Sequence, residues 1–299
     1  MRTRGLAYRR GSMRRREILE GALALGAVAP VSQVLGCVEP PSGAAAGSAG
    51  ASARRAPARV LQRITSHAAI DGAGATVQRV FPGPDLRHLD PFVVLDDFDV
   101  RRPAGFPDHP HRGFEAFTYM IEGAFHHRDS MGNDSVIGPG GTQRFCSGSG
   151  ARHSEMPGTD GANRGLQLWV NLPRRLKQMA PNYVGIAGAD MPVFPGEGHV
   201  LREVVGPRSP VSLQTEVEYF DLELFADASF EHEVLVGRNA LIYVLEGEVS
   251  LLGQRLARGE ALLPTSGVVN ISAAQPSRVL WLSGKPHGEP INHRGPYVD

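Results

Sequence analysis

Cysteine is almost absent from the sequence, because Cys37 and Cys146 are the only two among 299 residues. A small fold held together by several disulfides is therefore excluded, and a chain of this length can bury enough apolar surface without them. A bond between these two would join an N-terminal tail to the core, so we expect none. Cys146 is expected to be a small buried apolar side chain rather than a thiolate ligand or a redox group.

Net charge is also lacking, since 31 basic side chains balance 31 acidic ones. The balance hides an asymmetry: residues 1–36 hold seven arginines and two glutamates, so residues 37–299 carry a formal charge of −5. Proteins that bind nucleic acid present a basic face to the phosphates. We therefore expect no nucleic-acid partner for the mildly acidic body of the chain.

The sequence has no apolar run that could span a membrane. Residues 21–35 come nearest, but this stretch is short, rich in Gly and Ala and interrupted by Pro30, whereas a membrane helix needs about 20 apolar residues. Arginines at positions 14–16 precede it, and the whole segment resembles a twin-arginine export signal. Translation would then start at Met1 or at Met13.

The apolar stretch ends in a segment, residues 34–37, that resembles a bacterial lipobox, in which Cys37 would be diacylated. Leu35 departs from the small residue that is usual there, so cleavage nearby or a retained anchor are the alternatives. Residues 38–59 are rich in Ala, Gly, Ser and Pro and predict a flexible linker. Residues 1–37 thus predict export to the periplasmic side of the cell envelope, with membrane attachment only through the lipid anchor.

From residue 60 onward, short apolar runs of strand length alternate with Gly, Pro and Asp. No helix is predicted between the signal and a helical turn near Arg174. Residues 117–123 resemble residues 241–247, since each segment has a Tyr, apolar residues and then Glu-Gly. This repeat predicts an all-β chain with two tandem barrels of one design, at residues 60–180 and 181–299.

Metal-ligating residue types occur in two pairs, His109 with His111 and His153 with Glu155. Alternate residues of a strand share a face, so each pair can act together. Three imidazoles and a carboxylate suit divalent iron, nickel, copper, zinc or manganese, and with open positions they are most typical of non-haem iron(II). The second barrel has only His232 at the comparable place, so the metal is expected in the first barrel alone.

Two further stretches could suggest binding sites, a metal site and a phosphate loop, but neither prediction is supported. His126 and His127 are adjacent, so in a strand they point to opposite faces and cannot both serve one site. The glycine-rich segment 138–141 has no helix after it to supply an N-terminus to a phosphate, so we interpret it as a turn.

Several segments of residues 60–299 resemble the pirin family of two-barrel cupin (jelly-roll) proteins. The resemblance implies an iron ion held by His109, His111, His153 and Glu155 in the N-terminal barrel, and it leaves out Glu115, which matches only the general cupin motif. Arg144 and Cys146 depart from the family pattern, which predicts an altered pocket wall. The matching stretches are residues 89–92, 108–115, 150–157, 288–291 and 295–298.

The resemblance also implies an activity, the ring cleavage of a flavonol-like aromatic substrate by dioxygen, as in quercetin 2,3-dioxygenases. Glu155 would then both ligate the metal and accept the substrate's hydroxyl proton. Phe114 and Phe145 are candidates for stacking on the substrate, although we expect both in the core. We expect a monomer. The alternative is a non-catalytic iron-binding protein that senses redox state or binds a partner. An exported protein would not meet a transcription factor, so export argues against a role as a transcriptional regulator.

Overall fold

The computed structural model describes residues 55–299, which form 24 strands and two short 3-10 helices, at Arg174–Leu176 and Gly188–Asp190. No helix in this described part is long and apolar enough to cross a bilayer. The predicted export signal, Cys37 and most of the linker lie outside the described residues. In chain order the strands are β1 Val60–Thr65, β2 His67–Asp71, β3 Ala75–Phe81, β4 Phe92–Val100, β5 Phe106–His111, β6 Phe114–Glu122, β7 Phe125–Asp129, β8 Asp134–Ile137, β9 Thr142–Cys146, β10 Ala151–Pro157, β11 Asn163–Asn171, β12 Asn182–Ile186, β13 Val193–Gly196, β14 His199–Val205, β15 Val217–Leu224, β16 Ala228–Val234, β17 Asn239–Glu246, β18 Glu248–Leu251, β19 Gln254–Ala257, β20 Glu260–Pro264, β21 Gly267–Ala273, β22 Ser277–Gly284, β23 His293–Arg294 and β24 Tyr297–Val298.

Each barrel combines a seven-stranded sheet with a four-stranded sheet. The first has the orders β12-β9-β6-β11-β4-β3-β2 and β5-β10-β7-β8, and the second has β1-β20-β17-β22-β15-β14-β13 and β16-β21-β18-β19. The two sets of orders correspond position by position, with β6 equivalent to β17 and β10 equivalent to β21. The expected all-β fold of two tandem cupin barrels is confirmed, and the two similar Glu-Gly segments end equivalent strands.

The strand pairing crosses the boundary predicted at residue 180. β1 precedes the first barrel in the chain but pairs with β20 of the second, from Val60 opposite Pro264 to Thr65 opposite Glu260. β12 follows residue 180 but pairs with β9 of the first barrel. The two barrels therefore exchange edge strands, and neither is a continuous segment of chain. The reason is that an edge strand adds to whichever sheet offers free backbone groups, regardless of its place in the sequence.

The two seven-stranded sheets share one continuous cluster of buried apolar residues. Phe117 and Leu168 contribute from the first sheet, and Tyr219 and Leu280 from the second. Strands β6 and β17 are covered on both faces, which explains their nearly unbroken burial. This shared core makes the two barrels one compact unit.

One polar contact inside this shared core joins the barrels directly. The Tyr119 hydroxyl donates to Asp221 at 2.5 Å, and Arg278 holds the same carboxylate through two hydrogen bonds of 2.7 and 2.6 Å. A buried carboxylate is costly unless its oxygens are satisfied in this way. The contact therefore fixes the relative positions of β6 and β15.

The edge-strand exchange predicts a difference between two residues of β1. Ile64 is 1% exposed within the shared core, so Ile64→Ala should lower the free energy of unfolding by about 2–5 kcal/mol. Leu61 is 66% exposed on the same strand, and Leu61→Ala should change it by less than about 0.5 kcal/mol. Urea unfolding followed by tryptophan fluorescence measures both. Equal effects of the two substitutions would contradict the placement of β1.

Candidate metal centre

Strands β5 and β10 bring three imidazoles together. The antiparallel register sets His153 opposite His109 and Ala151 opposite His111, and all three histidines point to the same face of the four-stranded sheet. The Nε2 atom of His109 lies 3.0 Å from that of His111 and 3.0 Å from that of His153. His111 and His153 are buried, at 3% and 1% exposure, whereas His109 is half-buried.

Backbone carbonyls determine which ring nitrogen of two histidines carries the proton. Nδ1 of His109 lies 2.8 Å from the carbonyl oxygen of Pro107, and Nδ1 of His111 lies 3.2 Å from that of Pro296. A carbonyl only accepts, so in each neutral ring the proton is on Nδ1 and the Nε2 lone pair faces the other rings. The Nε2 lone pairs of His109 and His111 then face each other at 3.0 Å and repel one another unless a cation lies between them, so the group fits a divalent metal ion.

Burial and neighbouring imidazoles keep the His111 and His153 rings neutral. Burial, together with neighbouring His109, lowers the pKa of His111 to about 3. Burial also lowers the pKa of His153 well below its ordinary value, with His111 and His109 adding to the effect. Since a metal binds the unprotonated imidazole nitrogen, both rings are ready to act as ligands at neutral pH.

Two aromatic side chains orient the buried histidines. Phe145 stacks on His153 with ring centroids 4.2 Å apart, and Phe114 meets His111 at 4.8 Å. Phe114 and Phe145 are 0% and 1% exposed, so both are core residues, as expected. Their contribution is to hold the ligand rings in place.

Glu155, the fourth predicted ligand, is buried on β10 beside the histidines, but its carboxylate is occupied. Thr118 donates to Oε1 at 2.7 Å, Gln143 donates to the same oxygen, and Gln167 donates to Oε2 at 3.1 Å. The group of His109, His111 and His153, whose ligand atoms lie within 4.8 Å of one another, does not include Glu155. Instead, Glu155 forms a second such group with His127 and His153.

His127 was not among the residues predicted for the site. Its side chain is fully buried on β7, 5.3 Å from the His153 ring, with Nε2 3.1 Å from Oδ2 of Asp129. His126 points the opposite way and pairs with Asp134 at 2.6 Å, as strand alternation requires. Alternation shows that one of the two faces inward, but only the register of β7 against β10, which pairs His127 with Glu155, identifies which.

Glu115, Arg144 and Cys146 lie away from the site. Arg144 pairs with Glu115 at 2.9 Å in the interior, and Glu115 also accepts from the backbone N–H of Gln214 at 2.8 Å. Burial raises the pKa of the Cys146 thiol to about 11, and its Sγ lies 3.7 Å from Sδ of Met179. Neither Arg144 nor Cys146 lines the cavity, so the expectation that they alter the pocket wall is wrong.

A cavity of about 490 Å³ opens beside the histidines. His109, His111 and Glu155 are among the residues that line it. The other lining residues are aromatic or polar. Among them, Arg79 binds Asp96 through two hydrogen bonds of 2.8 and 2.7 Å and Asp71 through one of 2.6 Å. The main aromatic and acidic lining residues are Phe98, Phe106, Phe125, Trp169, Asp71, Asp96 and Asp108.

The second barrel fills the equivalent positions with apolar side chains. The pairing of β16 with β21 sets His232 opposite Val269, as His109 is set opposite His153 in the first barrel. Val269 and Ile271, which correspond to His153 and Glu155, are fully buried in the apolar core of that barrel. His232 therefore has none of the other ligands beside it.

Comparisons with known proteins agree with this architecture. A family model described as Pirin matches residues 74–170, and one described as Pirin C-terminal cupin domain matches residues 219–299. A pirin-like protein of Caulobacter vibrioides is 41% identical over 252 residues, which cover 80% of this chain and 91% of the relative. A putative quercetin 2,3-dioxygenase of Pseudomonas aeruginosa is 40% identical over 258 residues, covering 80% and 90%. The crystal structure of a quercetin 2,3-dioxygenase from Acinetobacter baumannii is similar with a TM-score of 0.76 at 28% identity, covering 81% and 92%.

The geometry predicts that His109→Ala and His153→Ala abolish metal binding while both barrels stay folded, because the apolar cores do not depend on the imidazoles. His232→Ala in the second barrel is the matched control and should keep the wild-type metal content. Elemental analysis of the purified proteins measures the metal, and circular dichroism melting reports the fold. Unchanged metal content in the first two variants would refute the site.

Proposed function

The chain belongs to the pirin family, and from this premise we propose that it is a metal-dependent dioxygenase of the quercetin 2,3-dioxygenase type that acts on flavonol-like aromatic substrates. The observation that carries the proposal is the meeting of three imidazoles, two of which line a cavity with several aromatic residues. Such a cavity lies within the range of about 300–1,000 Å³ that is usual for small-molecule sites.

The proposed ligands are His109, His111, His153 and Glu155, and the proposed metal is iron(II), with nickel, copper, zinc and manganese as the alternatives. A mixed histidine and carboxylate donor set with open positions suits these ions. When bound, the metal would supply Lewis acidity toward a substrate hydroxyl and a site for dioxygen. For Glu155 to ligate, its carboxylate would exchange at least one of its present hydrogen bonds for the metal.

The walls of the cavity favour a neutral aromatic compound with several hydroxyl groups. Phe98, Phe106 and Trp169 provide apolar surface against which a planar ring can pack. Asp71, Asp96 and Asp108 face the same space with Arg79 as the only cationic side chain among the lining residues. Carboxylates accept hydrogen bonds from phenolic hydroxyls and repel anions, so a substrate with a free carboxylate is disfavoured.

Glu155 is proposed to take the proton of the substrate's reacting hydroxyl. Thr118, Gln143 and Gln167 hold its carboxylate against the cavity wall, so the base is already oriented when the substrate enters.

We further propose that residues 1–37 export the protein and that Cys37 attaches it to the membrane at the cell envelope, where it acts as a monomer. The support is the arginine run at positions 14–16, followed by an apolar stretch and the lipobox-like residues 34–37. A twin-arginine route carries folded proteins, so iron would be loaded in the cytoplasm, before copper and zinc in the envelope compete for the site. The route therefore bears on metal selectivity.

Oxygen uptake provides the test of the proposed activity. The purified protein should contain about one iron per chain and consume dioxygen when quercetin is added, and Glu155→Gln should lower the rate by about 100-fold or more because the base is lost. Glu231→Gln in the second barrel is the control and should leave the rate unchanged. An oxygen electrode and elemental analysis measure both properties. Iron without oxygen uptake would refute the dioxygenase and favour a binding role.

Export is tested by exchanging the arginines without changing the charge. Arg15→Lys combined with Arg16→Lys should leave the protein inside the cell, because a twin-arginine signal requires the guanidinium pair. Arg9→Lys combined with Arg10→Lys is the matched control, since that pair is not followed directly by apolar residues. Cell fractionation with immunoblotting measures the location. Normal export of the first variant would disprove the assignment.

A further inference from the structure

The last nine residues of the chain, residues 291–299, leave the second barrel and lie against the first. We call them the C-terminal segment. β23 and β24 form a hairpin within it, and the backbone N–H of Val298 donates to the carbonyl of Arg112 at 3.0 Å. Val298 is fully buried in an apolar cluster with Phe114 and Ala116 of β6. The end of the chain is thus part of the core beneath the candidate metal centre.

One carbonyl of this segment contacts a proposed ligand. The oxygen of Pro296 lies 3.2 Å from Nδ1 of His111, and this nitrogen has no other hydrogen-bond partner in the described part of the chain. A carbonyl at this place requires the proton on Nδ1 and leaves Nε2 free to bind a metal. The tautomer of a first-barrel histidine therefore depends on a backbone group at the end of the second barrel.

The same segment forms part of the cavity wall. His293, Gly295 and Pro296 line the cavity together with Phe98 and Phe106. The His293 ring also approaches Trp169, with ring centroids 5.6 Å apart, and its Nε2 donates to the carbonyl of Gly295 at 3.0 Å. A substrate in the cavity would therefore contact both barrels.

Charged side chains of the first barrel hold the segment in place. Arg112 binds the Asp299 carboxylate through two hydrogen bonds of 2.9 Å each, and its guanidinium lies 4.7 Å from the centre of the Tyr297 ring. The ammonium of Lys177 donates to the Val298 carbonyl at 2.6 Å and to the Gly113 carbonyl at 3.0 Å. Arg112 follows His111 directly, so these contacts also restrain the end of β5.

Gly113 shows how closely the segment approaches. Its φ is +87°, and a methyl group built on it would lie 1.9 Å from the Val298 carbonyl oxygen. No side chain fits between Gly113 and the segment. The absence of a Cβ at this position is therefore what allows the end of the chain to dock.

From these contacts we propose that the C-terminal segment is a positioning element of the metal site: the Pro296 carbonyl fixes the metal-binding tautomer of His111, and His293 and Pro296 close one wall of the cavity. This inference rests on the proposed metal site and extends it to the second barrel. It gives the barrel that lacks ligands a direct part in metal binding, because the site is complete only when the C-terminal segment is folded against the first barrel.

The test displaces the segment without changing a ligand. Gly113→Ala introduces the methyl group that clashes with Val298, and a second variant ends the chain after Pro290. Gly132→Ala is the matched control, because Gly132 has a similar φ of +92° but nothing within 4 Å of the added methyl. Metal affinity is measured by competition with a chelator, using iron(II) and zinc separately. Nitrogen-15 NMR of the metal-free proteins reports the tautomer of His111.

The two displaced variants should bind metal about 10–100-fold more weakly, the usual cost of losing a partner that orients a ligand, and the Nδ1–H signature of His111 should disappear. Gly132→Ala should bind metal within about twofold of the wild-type affinity, a change far below the 10–100-fold loss expected of the displaced variants. It should also keep the Nδ1–H signature of His111. Wild-type affinity and an unchanged tautomer in the truncated protein would overturn the inference. The NMR measurement tests the role of the Pro296 carbonyl even in metal-free protein. Oxygen uptake tests the proposed activity separately, so failure of that activity is distinguishable from failure of this inference.

Discussion

The candidate metal centre depends on the antiparallel pairing of β10 with β5 on one side and with β7 on the other. The first pairing sets His153 beside His109, and the second sets Glu155 beside His127. A shift of one residue in either register would turn every second side chain to the opposite face. The chemistry therefore depends on backbone hydrogen bonds, and the side chains only occupy the positions that these bonds create.

The two barrels show what happens when this framework is kept and the side chains are changed. Equivalent strands pair in equivalent registers, but Val269 and Ile271 stand where the first barrel has His153 and Glu155. Apolar side chains stabilise a barrel interior, whereas buried imidazoles with facing lone pairs cost stability unless a cation offsets their repulsion. The interior of the second barrel is thus apolar throughout these positions, whereas the first barrel carries the cost of the candidate metal centre.

The second barrel is nevertheless closely tied to the first. The barrels exchange the edge strands β1 and β12, share a buried core between their seven-stranded sheets, and meet again where the C-terminal segment reaches His111. Each contact joins residues far apart in sequence, such as Tyr119 with Asp221. A domain boundary drawn along the chain misses these links, because strands associate through free backbone groups and apolar faces rather than through proximity in sequence.

The sequence by itself determined the fold class, the repeat and the candidate ligands. Alternating apolar runs specify strands because the strand period is two, and the i, i+2 spacing of His109 with His111 and of His153 with Glu155 puts each pair on one face for the same reason. Only the tertiary structure decided that Phe145 supports a ligand ring without lining the cavity, that His127 rather than His126 faces Glu155, and that Pro296 contacts His111. These facts depend on register and on contacts between distant segments, which local periodicity does not encode.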